Sequence, residues 1–342
     1  MEELVSLFET RELIAVANQV PTAGTFLQDT FFGKEEVVPS EHVDIVVRKG
    51  KRTLAPFVSP KVQGKIVNTS TQSVRSYKPA YIKEKWVTEA TDIIGKSNNV
   101  FYAENKSIAE VVAEKVARET QEHKENLVRR IEWMAAQVLT TGKVEVKGDG
   151  VEEVIDFGFD ANQFVVLTDN TWDSNDVDPI AMMREWRRER VKAGGIAPNV
   201  AVFGSDAIDA FISNAKVQKA LDLRRVDRGM IDPELLPDGV TYWGYIPEIA
   251  TDIYSYDEWY IDPESGEEKE MVDSKGVIYG STKTQAKRVY GAIKDLQALT
   301  ATKFFLKSWE VEDPSVRFML MQSAPLVVPV EVDAFMFAKV LA

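Results

Sequence analysis

The chain has 342 residues, 44% of them hydrophobic and 28% charged, with no cysteine, two histidines (His42 and His123) and a net charge of −13. Without cysteine there are no disulfides, thiolate nucleophiles or thiolate metal sites. So acidic a chain also argues against general affinity for nucleic acid, whose phosphates need a basic surface. A chain of this length buries roughly three quarters of its unfolded surface, enough for a core without covalent staples. It is long enough for two domains, or for one with large excursions. Met1-Glu2-Glu3 is acidic where a signal peptide would be basic, and no apolar run approaches the ~18 residues that span a bilayer. The expectation is a soluble chain, with no membrane contact, that stays where it is made.

Residues 1–40 read as an arm. Thr10 is placed to cap a short helix over 11–19, ended by Pro21. Phe26, Leu27, Phe31 and Phe32 then crowd apolar bulk into a segment with little local structure to cover it. They either pack on the chain's own core or anchor the arm to a neighbouring subunit. Residues 41–92 differ in composition from the rest. Val43, Ile45 and Val47 alternate at strand period, and Arg48-Lys49-Gly50-Lys51-Arg52 places a glycine centrally, as at a hairpin tip. Between positions 48 and 85 there are ten basic residues and one acid, Glu84. That is a local +9, which leaves −22 on the rest of a chain whose total is −13. An extended hairpin of this kind has no core of its own; it is a solvated loop, next a contact for an acidic partner surface, and only third a contact for nucleic acid. Arg48, Lys49, Lys51 and Arg52 therefore join the four apolar arm residues as candidate subunit contacts.

The clearest element covers residues 108–141. Ser107 and Glu110 fit a capping box, and positions 108, 112, 116, 120, 123, 127, 131, 134 and 138 fall on one stripe, seven of them apolar. Gly142 closes the helix as its C′ residue. At 1.5 Å per residue it is about 50 Å long, a spine lying along a sheet or across a domain. His123, on the stripe, reads as a hydrogen-bonded or half-exposed structural histidine.

A hairpin turning at Gly148-Asp149-Gly150 follows, then a strand over 164–167. Asp178-Pro179 opens a helix that stops at Gly194-Gly195. Next come a strand over 200–203, a helix capped by Ser205, a loop over 227–240 and short strands over 242–278 with a turn at 262–266. Strands over 318–321 and 326–330 precede a last segment, 335–341. Strands and helices mix without strict alternation, so the expected class is α+β.

The chemical motifs are weak. Asp173, Asp176 and Asp178 are the best candidates for a divalent metal, and a metal-dependent hydrolase is the reading they would support. The spacing lacks the glycine and terminal glutamate of a calcium loop, and helix capping accounts for the same residues. Asp262, Glu264 and Glu268 fail the same test. The segment 276–284 lacks the Gly-Lys-Ser/Thr of a phosphate loop. The seven tryptophans have no cage spacing and suit core or interface packing. No catalytic, cofactor or metal site is assigned, and the protein is expected not to be an enzyme.

Several stretches, in order along the chain, resemble one family. They are Phe26-Leu27-Gln28-Asp29-Thr30-Phe31-Phe32, Val58-Ser59-Pro60-Lys61-Val62-Gln63-Gly64, Tyr77-Lys78-Pro79-Ala80-Tyr81-Ile82-Lys83 and Gly142-Lys143 at the end of the long helix. Residues 216–225 and, above all, Met321-Gln322-Ser323-Ala324-Pro325-Leu326 complete the set. Together they resemble the lambda-like phage major capsid proteins, the major capsid protein E family. The resemblance implies the Hong Kong 97-type capsid fold: an N-terminal arm (1–40), an extended β-hairpin loop (41–92), a peripheral domain with the spine helix (93–172), an axial domain (173–299) and C-terminal strands returning to the core (300–342). It further implies pentamers and hexamers of an icosahedral shell, assembled in the host cytoplasm, around double-stranded DNA held as non-specific cargo. Scaffolding protein, portal and a decoration protein are the family's other partners. Departures at 227–240 and 262–270 bear on decoration and shell geometry. A protein-filled nanocompartment shell of the same fold is the alternative.

Overall fold

The structure, a computed structural model, describes residues 13, 24–48, 57–58, 60–61, 63, 72–89, 108–148, 150–222, 234–236, 239–298, 302–313 and 316–342. The capping residue Ser107, the helix expected over 11–19 apart from Leu13, and Lys49, Lys51 and Arg52 lie outside them. The arm contributes a short helix, α1 (Phe26–Phe31), and a strand, β1 (Lys34–Val37). After β2 (Val43–Arg48), β3 (Gln72–Tyr77) and β4 (Ile82–Glu89) comes the long helix α2, which spans Ile108–Thr141 as its stripe predicts. The hairpin β5 (Lys143–Gly148) and β6 (Val151–Asp156) follows, then β7 (Phe164–Val166), α3 (Pro179–Gly194), β8 (Val200–Phe203), α4 (Ser205–Ser213) and α5 (Ala215–Asp222). Next are β9 (Glu234–Leu235), β10 (Val240–Ile246), β11 (Thr251–Tyr256), β12 (Trp259–Ile261), β13 (Glu268–Glu270) and β14 (Gly276–Gly280). The chain ends with β15 (Lys287–Tyr290), β16 (Phe305–Val311), β17 (Val316–Ser323), β18 (Pro325–Val328) and β19 (Met336–Lys339).

A seven-stranded sheet in the order β7-β19-β14-β8-β11-β10-β9 divides two apolar clusters. Strand side chains alternate between faces. In β8, Val200 and Val202 accordingly enter the cluster that also holds α2, while Ala201 and Phe203 enter a second one beneath α3 and α4, with Trp172, Trp186 and Phe211. That double burial is why 200–203 and 276–280 are runs of buried residues rather than alternating ones. Residues 276–280 of the segment with superficial phosphate-loop likeness are thus the buried strand β14, and 281–284 are the turn that leaves it.

The cover of α2 changes along its length. Val112, Val116 and Thr120 are buried on one stripe, while Glu114, Arg118 and Glu122 are exposed. From Leu127 onward a second stripe, Val128, Glu132, Ala135, Ala136 and Leu139, is buried as well. There the helix packs against α1, β5, β18 and β19. Gly142 ends it with φ +71°, its N–H donating to the Val138 carbonyl at 2.9 Å, the left-handed closure expected of a C′ glycine.

Two local expectations need correction. Strand β2 pairs with β3, Arg48 with Gln72 and Val43 with Tyr77, so residues 49–71 separate the two strands in sequence, and the tip expected at Gly50 lies outside the described residues. The stalk is not a solvated loop along its length, since Val43, Ile45 and Val47 are buried in the α2 cluster. The second correction concerns α4, which is entered through Gly204 rather than capped by Ser205. A Cβ at 204 would sit 2.4 Å from the Asp273 carbonyl oxygen, so only glycine lets the two backbones approach.

Ile131 has no solvent exposure. Ile131→Ala should lower the unfolding free energy of the unassembled subunit by about 2–5 kcal/mol. The exposed Glu122→Ala should stay within ~0.5 kcal/mol. Chemical denaturation of both variants checks the pair.

Candidate assembly surfaces

The four apolar arm residues are seated on this chain's own residues. Phe26 lies 5.1 Å from the Tyr254 ring and 5.8 Å from that of Tyr256. Leu27, Phe31 and Phe32 are buried, the two phenylalanines against Phe335 at 5.8 and 6.3 Å. The first N–H groups of any helix lack an intrahelical acceptor. In α1 those of Leu27 and Gln28 donate to the two carboxylate oxygens of Glu132, at 2.6 and 3.0 Å, and the Tyr256 hydroxyl donates to the first of them at 3.1 Å. Burial pushes the Glu132 carboxyl up to about 7; the three hydrogen bonds pull the other way, and Asp29 adds to the rise.

Charge fastens the rest of the arm. Strand β1 runs parallel to β15. Arg288, nearly buried, meets Asp29 at 3.0 Å, Glu35 at 3.3 Å and the Gln28 side-chain oxygen at 2.7 Å. Lys287 pairs with Glu36 and Lys303 with Glu35.

Of the basic segment, the described members are used within the chain in several ways. Arg75 donates to the Asp156 carbonyl at 3.0 Å, tying the base of the β2–β3 stalk to β6. The Lys85 ammonium sits 3.9 Å from the Phe318 ring and 5.3 Å from Trp309, and Lys83 lies over Tyr81. Arg48 ends β2, while Lys49, Lys51 and Arg52 fall in the intervening segment outside the described residues.

A groove of about 710 Å³ runs between α2, β4 and the β12–β13 hairpin; Lys83, Arg129, Arg130, Trp133 and Trp259 line it. Trp259 and Ile261, both in its lining, stand open to solvent at 49% and 71% exposure. Such exposed apolar side chains in a cluster mark contact surfaces. His123 is half-buried, stacked 3.9 Å from the Trp86 ring, with Nδ1 2.7 Å from a Glu84 oxygen. It is a structural histidine.

The acidic triplet does not come together as a site. Asp178 caps α3, its side chain accepting from Ala181 N–H at 3.0 Å with Pro179 at N1. Asp173 and Asp176 are exposed. Among the described residues no three His, Asp or Glu side chains gather as a metal would require. Asp262 is held at about 2 by its hydrogen bond to the Lys269 ammonium, with Glu264 N–H adding to the drop. No helix among the described residues is long and apolar enough to cross a membrane.

Glu132, Arg288 and Trp259 were not singled out by sequence. The available signal for Glu132 is its place as the one charged member of the second stripe, among Val128, Ala135, Ala136 and Leu139.

An elongated helix, a stalked loop and an arm strapped across the body make a shape built around contacts. The family model of phage major capsid protein E matches residues 9–340. The chain belongs to that family. Its relatives include the major capsid protein of Escherichia phage N15, 25% identical over 98% of this chain and 99% of the relative. That of Escherichia phage lambda is 23% identical over 97% and 98%. Among solved structures, the prophage capsid protein of E. coli CFT073 matches with a TM-score of 0.68 at 20% identity, covering 97% of this chain and 99% of that one. The capsid of cyanophage A-1(L) matches at 0.52 and 11% identity, over 93% of each chain. The fold is accordingly the Hong Kong 97-type capsid fold, of α+β class. As a member of the capsid family the chain is a self-associating component of a lambda-like phage or prophage head shell, and its place is the virion.

Asp178→Ala should cost about 1 kcal/mol through loss of the α3 cap. Asp173→Asn and Asp176→Asn should each stay within ~0.5 kcal/mol. Melting curves with and without Mg²⁺ or Ca²⁺ should coincide for the parent and for all three variants.

Proposed function

We propose that the chain builds a closed icosahedral head of pentamers and hexamers around packaged double-stranded DNA, with no catalytic step of its own. The observation that carries this reading is the family match over residues 9–340, taken with a body whose longest elements serve reach rather than a ligand pocket. Residues 1–40 act as the arm and 41–92 as the extended loop. Residues 93–172 form the peripheral domain, 173–299 the axial domain, and 300–342 return through both. Scaffolding protein, portal and a decoration protein are its partners in the growing head, and DNA is held without sequence preference.

Within such a shell the basic loop lies on an acidic neighbour. Two features support this. The segment 48–85 carries +9 against −22 elsewhere, and a shell built from copies of one chain needs heterologous contacts that close. Arg48, Lys49, Lys51 and Arg52 are its contact residues.

Reversing Lys49, Lys51 and Arg52 to Glu takes the segment from +9 to +3. Circular dichroism and melting of the free subunit should be unchanged, because surface charges move stability by less than ~0.5 kcal/mol each. Like-charge contact repeated over every interface should abolish assembly or shift it to high salt, where repulsion is screened. Electron microscopy and sedimentation read the outcome. Shells at parental yield and salt dependence would remove the loop–neighbour contact from the model of assembly, and a parent chain that forms no particles would remove the head itself.

A further inference from the structure

The Glu132 carboxylate ties the arm to the longest element of the fold. It has no solvent exposure, yet it takes the Leu27 and Gln28 N–H groups and the Tyr256 hydroxyl. Apolar packing of Leu27, Phe31 and Phe32 already seats the arm, and small residues such as Ala135 and Ala136 serve on the same stripe of α2. A carboxyl group is placed instead where burial penalises its charge. We propose that Glu132 is a proton-operated latch for the amino-terminal arm, coupling the attachment of residues 26–37 to the proton load of this one buried side chain.

The groups facing the latch are few. From α1 comes Asp29, whose negative charge disfavours the anion, and from β11 comes Tyr256, whose hydroxyl favours it. Tyr254, also on β11, stacks on Phe26. Arg288 of β15 is engaged with Gln28, Asp29 and Glu35. On α2 the neighbours one turn away are Val128, Ala135 and Ala136.

The direction of control follows from linkage. While the arm covers it, the carboxyl group titrates at about 7, chiefly through burial. With α1 lifted away it faces water and returns to the ordinary glutamate value near ~4.3. Between those values the attached arm holds a proton that the detached arm lacks. The contribution of Glu132 to attachment is therefore strongest below about pH 4.3, weakens as the pH rises towards 7, and levels off above. Release uncovers Leu27, Phe31 and Phe32, the apolar face that a neighbouring copy would then receive. The latch belongs to the single chain and stands apart from the geometry of any shell.

Hydrogen exchange on the unassembled full-length chain tests it, with rates expressed as protection factors so that intrinsic pH dependence cancels. Protection at the Leu27 and Gln28 amides should fall about 10- to 100-fold between about pH 5 and pH 8, while Met134 and Val138 on α2 stay level. In Glu132→Gln, which cannot titrate, the slope should vanish. Tyr256→Phe removes a hydrogen bond that favours the anion and keeps the carboxyl group, so its midpoint should move to higher pH; it carries the test if the glutamine variant does not fold. Flat parental protection, a slope that survives in Glu132→Gln, or a Tyr256→Phe midpoint that does not rise would each overturn the latch.

Discussion

A helix of 34 residues, about 50 Å long, outruns any single compact core, so each stretch of α2 must find its own cover. The first half needs only one face shielded, and strand β4 at the edge of the β16–β17–β4 sheet brings Trp86 and Thr88 to that side. The second half is apolar on two stripes and is enclosed by α1, β5, β18 and β19. The arm is therefore part of the helix's burial and not an appendage. Elements 100 residues apart in sequence depend on one another through it.

The same constraint explains the distribution of charge. Arm carboxylates Asp29, Glu35 and Glu36 lie against Arg288, Lys287 and Lys303, which holds the short elements α1 and β1 to one path across the body. Lys85 rests on aromatic rings and Arg75 on a backbone carbonyl. The stalk β2–β3 is anchored through buried Val43, Ile45 and Val47, with Arg48 paired to Gln72 at the end of its described residues. For a self-associating shell protein this division is apt. A rigid body fixes the root of each reaching segment, and the reach supplies the contact.

The two apolar clusters on either side of the seven-stranded sheet give the body its rigidity. Both faces of β8 and β14 are buried, so neither strand can slip by one residue without exchanging Val202 for Phe203, or Ile278 for Tyr279, between clusters of different shape. The C-terminal strand β19 lies within this sheet between the edge strand β7 and β14, which ties residues 336–339 into the body.

Much of this was legible locally. Nine positions at steps of three and four define α2 to the residue, Gly142 marks its end, and Asp178-Pro179 marks the start of α3. These signals act within a turn or two of the backbone, where capping and side-chain spacing operate whatever the rest of the chain does. Family membership was legible too, from short motifs kept in order over the whole length. The register of the stalk was not, because Gly50 is a good turn residue and only a distant strand decides that Arg48 pairs with Gln72. Nor was the seat of Phe26, Leu27, Phe31 and Phe32, since apolar surface drives burial without naming the surface that covers it. Glu132 is the sharpest case: an acid on a helix reads as a solvated face until both sides of that helix are covered. The sequence by itself determined the elements and the family, through interactions reaching three or four residues. The tertiary structure decided which faces meet, because hydrophobic burial is non-directional and takes its specificity from the assembled shape.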